Sequence, residues 1–205
     1  MKSRAIALDD VRALSSASLH EAAGRIGALP SNIKPIDRRM VLHGHALPVR
    51  CPAGDNLWIH RAMAQAAEGD VLVVDCGLGS EFGYWGEIMG TSAKALGIAG
   101  LVITGGVRDV LALRALGLPT FSASVCIQGT AKDPDDAGAV GEDICIGAVT
   151  IRRGDLVVGD ADGVLVLSPD AAARAVPIAH ERDAGEAIIL DQVRAGALTL
   201  DVYNL

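Results

Sequence analysis

The chain has 205 residues, a length typical of one or two domains. Acidic residues (25) outnumber basic residues (18), and the net charge of −7 argues against a protein that binds nucleic-acid backbones. Half of the residues are hydrophobic, which excludes a disordered chain, and only 3% are aromatic, so platforms for stacking single-stranded bases are scarce.

The N-terminal part of the chain begins with a predicted helix at residues 9–24, for which Ser15 or Ser16 is a candidate cap. Residues 25–38 are expected to be irregular, because the two prolines there exclude a long helix. A strand with a glycine interruption is predicted at residues 40–50.

A rhythm of strand, loop and helix follows in the middle of the chain. A helix at 57–68 precedes a short buried strand at 71–75, and a glycine-rich loop over 77–83 leads into a helix at 86–97. The next strand, turn, helix and strand are predicted at residues 101–104, 105–109, 110–116 and 120–125.

The pattern changes in the last third of the chain. Short strands separated by Gly-Asp turns predict an antiparallel meander over 141–168. A final helix is predicted from Asp170 to about Ala195, with a kink near Pro177. Strands mixed with helices in layers predict one α/β domain over residues 1–205, in which helices cover the faces of the sheet.

Targeting signals and the spacing of cysteines indicate the cellular compartment in which a protein is found. No apolar run approaches the ~18–20 residues of a membrane span, and the basic N-terminus at residues 1–6 lacks the long apolar stretch of a signal peptide. The four cysteines form no C-x-x-C pair and no zinc-ligand spacing. We therefore expect small buried thiols in a cytoplasmic protein that binds neither membranes nor nucleic acid.

Residues 86–90 open a predicted helix and form the first candidate binding site. The N–H groups of a first helical turn lack partners inside the helix, and the helix dipole adds positive charge there, so this turn can bind a carboxylate or phosphate. Glu87 lies in the same turn and has a second interpretation, in which it only complements the dipole of its own helix.

The second candidate site is Arg108-Asp109, directly after a predicted strand. Open α/β sheets place ligands beyond the carboxyl ends of strands. A guanidinium can hold a carboxylate or an enolate-like oxygen, and a neighbouring carboxylate can hold a divalent cation. Alternatively, Asp109 caps the helix that follows and Arg108 pairs with a surface acid. The dipeptide alone leaves both interpretations open.

Histidines and the acidic C-terminal helix are weaker candidates. Histidine titrates near neutral pH, so His20, and Asn56 together with His60, are candidates for proton transfer. A scattered histidine is more often a surface residue or a hydrogen-bonded one, and we favour that interpretation. The acids between His180 and Glu186 are typical of a solvated helix face with i,i+4 pairs.

Taken together, these segments resemble one family over nearly the whole chain. It comprises the class II pyruvate aldolases that cleave 4-hydroxy-4-methyl-2-oxoglutarate and 4-carboxy-4-hydroxy-2-oxoadipate, and it shares a fold with the regulator of ribonuclease activity A. The most diagnostic element is an acid, twenty residues, then Arg-Asp, which here is Glu87 followed by Arg108-Asp109. The other matching segments lie at residues 20–25, 51–56, 69–74, 83–87, 105–110, 128–130, 161–164, 195–196 and 201–203.

The resemblance implies roles for particular residues. Arg108 matches the arginine that contacts the substrate and stabilises the enolate oxygen. Asp109 matches the aspartate of a Mg²⁺ or Mn²⁺ site held largely through waters. Glu186, with Glu181 as a rival, matches a C-terminal acid that reaches the site of a neighbouring subunit. The loop whose backbone amides bind the pyruvyl carboxylate is matched by Gly86, Glu87, Ile88 and Met89.

The same resemblance implies a fold, an assembly and a reaction. The expected fold is a layered α-β-β-α sandwich of the ribonuclease-regulator type, assembled as a homotrimer or homohexamer, with the helix at 170–195 on a neighbouring subunit. The expected reaction is metal-dependent retro-aldol cleavage of a 4-hydroxy-2-oxo di- or tricarboxylic acid to release pyruvate, with Arg108, Glu87 and Glu186 as catalytic residues. Oxaloacetate decarboxylation is expected as a side activity, because it passes through the same enolate.

Some positions depart from the family pattern. Ala112 and Thr104 stand where acids are usual, Gly185 and Ala187 stand where charged residues are common, and the chain stops at Leu205. These departures keep two alternatives open: a dedicated oxaloacetate decarboxylase, and a non-catalytic binding protein of the ribonuclease-regulator type.

Overall fold

Strands and short helices alternate along the chain, as the computed structural model shows for residues 7–77 and 81–205. The strands are β1 (Lys34–Pro35), β2 (Leu42–Arg50), β3 (Asp70–Asp75), β4 (Gly83–Trp85), β5 (Gly100–Val107), β6 (Thr120–Val125), β7 (Ala139–Val140), β8 (Ile144–Ile146), β9 (Val149–Ile151), β10 (Leu156–Gly159) and β11 (Val164–Leu167). The helices are α1 (Ser16–Ala22), α2 (Leu57–Met63), α3 (Glu87–Ala95), α4 (Val110–Leu116), α5 (Pro169–Arg194) and α6 (Thr199–Tyr203).

Within the described residues, nine of these strands form one mixed sheet in the order β1-β6-β5-β3-β2-β10-β11, with β4 beside β5 and β7 beside β2. The centre is parallel, since β2, β3, β5 and β6 pair in the same direction. Strands β1, β7, β10 and β11 pair antiparallel. The parallel centre places the ends of β3 to β6 at one edge, where ligands bind in α/β sheets.

The sheet curves until its two ends approach each other. Ala28 forms a bridge with Leu165 of β11, and a few residues later β1 pairs with β6, so residues 28–35 connect the two ends. The ring of Phe121 on β6 approaches Gly159 on β10, where an added Cβ would lie 2.9 Å from the ring. The predicted α/β fold is therefore confirmed, and the sheet is a near-barrel with helices outside it.

Two hydrophobic clusters lie on opposite faces of the sheet. Along β11, Val164 and Val166 join the cluster that includes α2, α3 and α4, whereas Leu165 and Leu167 join the one with α1 and α5. Successive side chains of a strand point to opposite faces, so a strand covered on both sides is apolar throughout.

The predicted N-terminal helix is shorter than the pattern indicated. Ser15 has an extended backbone and its hydroxyl accepts a hydrogen bond from the N–H of Ser18, so α1 begins at Ser16. The predicted start of that helix forms a 3₁₀ turn at Leu8–Asp10 instead. The cap prediction at Ser15 is confirmed, and the prediction of one helix over 9–24 is wrong because this cap fixes the helix start.

The predicted turn at 105–109 is largely strand. β5 continues to Val107 because β4 pairs beside it. The sequence predicts the end of a loop, and not a strand, at the position of β4. A Cβ at Gly105 would lie 2.6 Å from the ring of Tyr84 on β4. This glycine permits close packing of two strands rather than a turn. Of the loop predicted at 77–83, residues 78–80 lie outside the described residues, as does the N-terminus at 1–6.

The C-terminal third follows the predicted pattern with one refinement. The meander is two antiparallel hairpins, of which β8–β9 forms a separate sheet and β10–β11 extends the main one. The final helix is confirmed as α5, with Pro177 inside it, and α6 follows. In the part of the chain that the structure describes, no helix has both the length and the apolarity to cross a bilayer.

Candidate functional site

A cleft of about 290 Å³ opens beyond the carboxyl ends of β4 and β5. Its walls come from the first turn of α3, the Arg108-Asp109 corner, α2 and the segment 129–132. The lining residues are Asn56, His60, Gly83, Tyr84, Gly86, Ile88, Met89, Arg108, Asp109, Gly129, Thr130 and Lys132. The structure thus brings together the two segments, 86–90 and 108–109, that the sequence analysis treated separately.

Asp109 connects these two segments directly. Its Oδ2 accepts a hydrogen bond from the backbone N–H of Glu87, at 3.1 Å, and so binds a free amide at the start of α3. The carboxylate fits only because residue 86 is glycine: a Cβ on Gly86 would overlap Oδ2. Asp109 therefore anchors one helix while standing at the start of another.

The backbone of Asp109 is in the left-handed region, with φ 55° and ψ 38°. This conformation costs a non-glycine residue roughly 1–2 kcal/mol and is enriched where strain serves a function. Asp109 occupies the N-cap position of α4, but its side chain makes no capping hydrogen bond there. The alternative interpretation of Asp109 as a cap for the following helix is therefore wrong, because its carboxylate binds α3.

Arg108 extends over the same glycine-rich floor. A Cβ at Gly83 would lie 3.2 Å from Cβ of Arg108, and one at Gly86 would lie 3.2 Å from its Cγ. The side chain is about half exposed, and its Nε is 3.9 Å from Oδ2 of Asp109. An ion pair this long and this exposed binds weakly, so the guanidinium keeps hydrogen-bond donors for a ligand.

The first turn of α3 supplies further donors. Gly86 is its N-cap and makes no side-chain cap, and Ile88 and Met89 in this turn line the cleft. Amides at such positions have no partner within the helix. Glu87 contributes its backbone N–H to Asp109, while its side chain is exposed and is not one of the lining residues.

Asn56, the residue before α2, and His60, on α2, form a further part of the cleft wall. Asn56 is 5% exposed, and its Nδ2 donates to the carbonyl oxygen of Tyr84 at 2.8 Å. Two buried atoms, Oδ1 of Asn56 and Nε2 of His60, have no hydrogen-bond partner among the described residues. From the sequence, this pair is a candidate for proton transfer, although a surface or hydrogen-bonded role is the favoured interpretation. Their i,i+4 spacing was the signal that they share one helix face.

Burial lowers the pKa of His60, and the positive charge of Lys132 lowers it further, while Asp55 opposes the shift. Burial and the charge of Lys132 both favour the neutral form of the imidazole. Asp55, which is 1% exposed, holds Lys132 in place by accepting a hydrogen bond from the N–H of Asp133. The backbone N–H of Ala131 also donates to the carbonyl of Gly54, at 2.8 Å.

The remaining predicted residues lie elsewhere. Glu186 and Glu181 are on α5 and do not line the cleft; Glu186 pairs with Arg182, at 2.9 Å. His20 lines a separate groove beside α1. Thr104 donates a hydrogen bond to Oδ1 of Asp75 at 3.2 Å.

Among the described residues, potential metal ligands do not form clusters. Within residues 7–77 and 81–205, no three His, Cys, Asp or Glu side chains come together in a way that could hold a metal ion. Two of the four cysteines, Cys51 and Cys76, are buried as expected, whereas Cys145 is exposed. Among the described residues that line the cleft, Asp109 is the one that has a carboxylate side chain.

Comparison with known proteins gives consistent results. Residues 8–166 match the family described as RraA-like: Aldolase/RraA. A Halalkalibacterium halodurans protein named "Putative 4-hydroxy-4-methyl-2-oxoglutarate aldolase" is 37% identical over 156 residues, which cover 76% of this chain and 73% of that protein.

Solved structures share the fold. An uncharacterized protein from Pseudomonas syringae pv. tomato str. DC3000 superposes with a TM-score of 0.83 at 28% identity, over 97% of this chain and 94% of that one. Streptomyces coelicolor RraAS2, described as an unusual member of the RNase ES inhibitor RraA protein family, gives 0.77 at 25% identity, over 90% and 96%. The resemblance seen in the sequence is confirmed: the chain belongs to the RraA-like family, Aldolase/RraA.

Proposed function

We propose that this protein cleaves a 4-hydroxy-2-oxo di- or tricarboxylic acid by a divalent-metal-dependent retro-aldol reaction that releases pyruvate. Candidate substrates are 4-hydroxy-4-methyl-2-oxoglutarate and 4-carboxy-4-hydroxy-2-oxoadipate, and oxaloacetate decarboxylation is the proposed side activity. The observation that carries this proposal is the convergence of Arg108, Asp109 and the first turn of α3 in one cleft. The aldolase name of the H. halodurans relative supports it.

The donor set in the cleft fits Mg²⁺ or Mn²⁺. Mg²⁺ commonly binds through one or two carboxylates, keeps several waters and takes further oxygens from the substrate. Asp109 is half exposed, and one of its oxygens, Oδ2, is occupied by the amide of Glu87. Its carboxylate is thus held in a fixed position, at the mouth of the cleft, as the protein ligand of such an ion. A divalent cation there would supply a Lewis acid for the 2-oxo group of the substrate.

The chain's own groups hold the substrate. The amides of Ile88 and Met89, at the positive end of α3, bind the carboxylate next to the oxo group. Arg108 places a fixed positive charge where negative charge develops on the enolate oxygen. A preorganised donor of this kind contributes about 3–4 kcal/mol to stabilising a transition state.

The hydroxyl proton needs an acceptor. We assign this role to the carboxylate of Glu87, which is exposed beside the cleft, or to Glu186 of a neighbouring subunit. The C-terminal part of α5 supports a homotrimer or homohexamer. Its buried residues end at Ala179, and beyond that point Ile188 and Leu190 are exposed. An apolar surface of this kind is typical of a subunit interface.

The deciding experiment is a pyruvate-release assay in which candidate hydroxy-oxo acids and oxaloacetate are tested with Mg²⁺, with Mn²⁺ and with EDTA. We expect turnover with either metal, loss of turnover with EDTA, and no metal response in Asp109→Ala. Equal rates with and without EDTA would refute the role of the metal. Turnover of oxaloacetate alone would favour the dedicated decarboxylase. No turnover of any substrate would favour a binding protein, as the similarity to RraAS2 suggests.

A further inference from the structure

The part of the cleft wall at α2 holds two polar atoms that no described residue satisfies. They are Oδ1 of Asn56 and Nε2 of His60, both buried. A buried polar atom without a partner destabilises the protein, because it has given up its hydrogen bonds to water. Because both residues line a ligand-sized cleft, the missing partner is expected to come from a ligand or from water that the ligand displaces.

The orientation of the Asn56 amide is fixed by its neighbours. Its nitrogen faces two acceptors, the carbonyl oxygen of Tyr84 at 2.8 Å and Sδ of Met89 at 3.4 Å. Only the NH₂ group can donate to these atoms, so Oδ1 must be the atom without a partner. An amide oxygen accepts hydrogen bonds and cannot donate, so its partner must carry a hydrogen.

Asn56 is also not used as a helix cap. It stands at the N-cap of α2, where asparagine usually binds a free amide of the helix, yet it makes no such bond. Asp55 accepts from the N–H of Leu57 instead, at 2.7 Å. The Asn56 oxygen is therefore not used at the helix start, and Asn56 is one of the residues that line the cleft.

The chemistry of this wall selects one kind of ligand group. A carboxylate has no hydrogen for Oδ1 of Asn56, and an ammonium group would be repelled by Lys132, which lines the same cleft. A hydroxyl group can donate to Asn56 and also bond to His60, because a neutral imidazole nitrogen donates or accepts according to its tautomer. Of the carboxylate, ammonium and hydroxyl groups, only the hydroxyl group can form hydrogen bonds with both Oδ1 of Asn56 and Nε2 of His60.

We propose that Asn56 and His60 bind the hydroxyl group of the substrate and thereby determine the preference for hydroxylated over non-hydroxylated 2-oxo acids. This inference rests on the proposed function. The pair orients the hydroxyl group of the bound substrate. Since a hydroxyl group has one hydrogen, its hydrogen bond to Oδ1 of Asn56 must be exchanged for one to the accepting carboxylate before the proton is removed, and the carboxylate of Glu87 or Glu186 keeps that role.

The test compares a hydroxylated substrate with one that has no hydroxyl group. We would measure kcat/KM for 4-hydroxy-4-methyl-2-oxoglutarate and for oxaloacetate with wild type, Asn56→Ala, His60→Phe and His60→Gln. The ratio of the two values is expected to fall by about tenfold to 100-fold in Asn56→Ala and His60→Phe. It should recover in part in His60→Gln, which keeps a donor and an acceptor. Gln65→Ala, an exposed change just after α2, should leave the ratio unchanged.

An unchanged ratio would overturn the inference. If kcat/KM fell equally with both substrates, the role of the pair would be purely structural. If Asn56→Ala does not fold, the two His60 variants decide. If the wild type turns over neither substrate, the proposed function fails, and calorimetric binding of 2-hydroxyglutarate and glutarate then tests the inference separately. Wild type should bind the hydroxylated acid more tightly, and His60→Phe should lose that difference. Equal binding of both acids by the wild type would overturn the inference.

Discussion

Gly86 provides a sharp test of the site, because replacing it perturbs Asp109 without straining the backbone. Its φ of −151° and ψ of −168° are extended angles that any residue adopts. The Cβ of an alanine there would overlap Oδ2 of Asp109 and would lie 3.2 Å from Cγ of Arg108. The substitution Gly86→Ala therefore acts on these two side chains alone.

The size of the effect follows from the geometry. To restore ordinary van der Waals contact, the carboxylate of Asp109 must move by about 1 Å. A misplacement of about 1 Å in an active site costs about 100-fold in rate. Stability should change little. The lost hydrogen bond from the Glu87 amide costs about 1–2 kcal/mol, and the change from glycine to alanine returns about 0.4–1 kcal/mol.

The assay is metal-dependent pyruvate release, measured together with thermal unfolding. We expect kcat/KM to fall about 100-fold in Gly86→Ala while Tm falls by less than about 6 °C. Ser92→Ala, on the exposed face of the same helix, is the control and should keep wild-type turnover. If Gly86→Ala turned over substrate at the wild-type rate, the position of the Asp109 carboxylate would not matter and the reasoning would be refuted.

Three further predictions follow from the contacts described above. Arg108→Lys should lower kcat/KM by at least about 100-fold in the pyruvate assay, because an ammonium group cannot reproduce the paired donors of guanidinium; unaltered kinetics would contradict this. Burial opposes ionisation of Asp160 and is the largest single influence, but hydrogen bonds from the N–H and hydroxyl of Ser16, together with further backbone hydrogen bonds that include the N–H of Asp162, outweigh it and lower the pKa of Asp160. That stabilisation is complete above the unfolded pKa of about 3.9 and disappears as pH falls through the lower folded value. Urea unfolding of Asp160→Asn should show a loss of stability at pH 7 that shrinks at low pH, and a pH-independent loss would refute the assignment. Lys132→Gln should raise the pKa of His60 toward 6.5, because one of the two causes that lower it is removed; an NMR titration with no shift would exclude that coupling.

Local patterns predicted the elements best where a residue acts on its own neighbours. The apolar run at 71–75 became a central strand, and the hydroxyl of Ser15 capped α1. The same reasoning failed at Gly105 and Gly106. Glycines usually mark turns, but here they let β5 pack against β4. The sequence shows that small residues stand at these positions. It does not show which residues leave no room for a side chain there, because those residues lie about twenty positions away along the chain.

The candidate site shows the same division. The sequence by itself identified Glu87, Arg108 and Asp109 as chemically capable residues, because residue type and position after a strand are local properties. It left open whether Asp109 caps the helix that follows, and only the folded chain shows its carboxylate bound to the Glu87 amide.

The sequence by itself determined the composition of the protein, the α/β alternation and the family to which the chain belongs. The tertiary structure decided which residues face one another across the cleft. Asn56 gains significance only because the fold brings the start of α2 to Tyr84 of β4 and Met89 of α3, which bind the asparagine amide nitrogen and leave its oxygen without a partner among the described residues. Burial, which creates the cost of an unsatisfied polar atom, is a property of the whole fold and cannot be inferred from spacing along one helix.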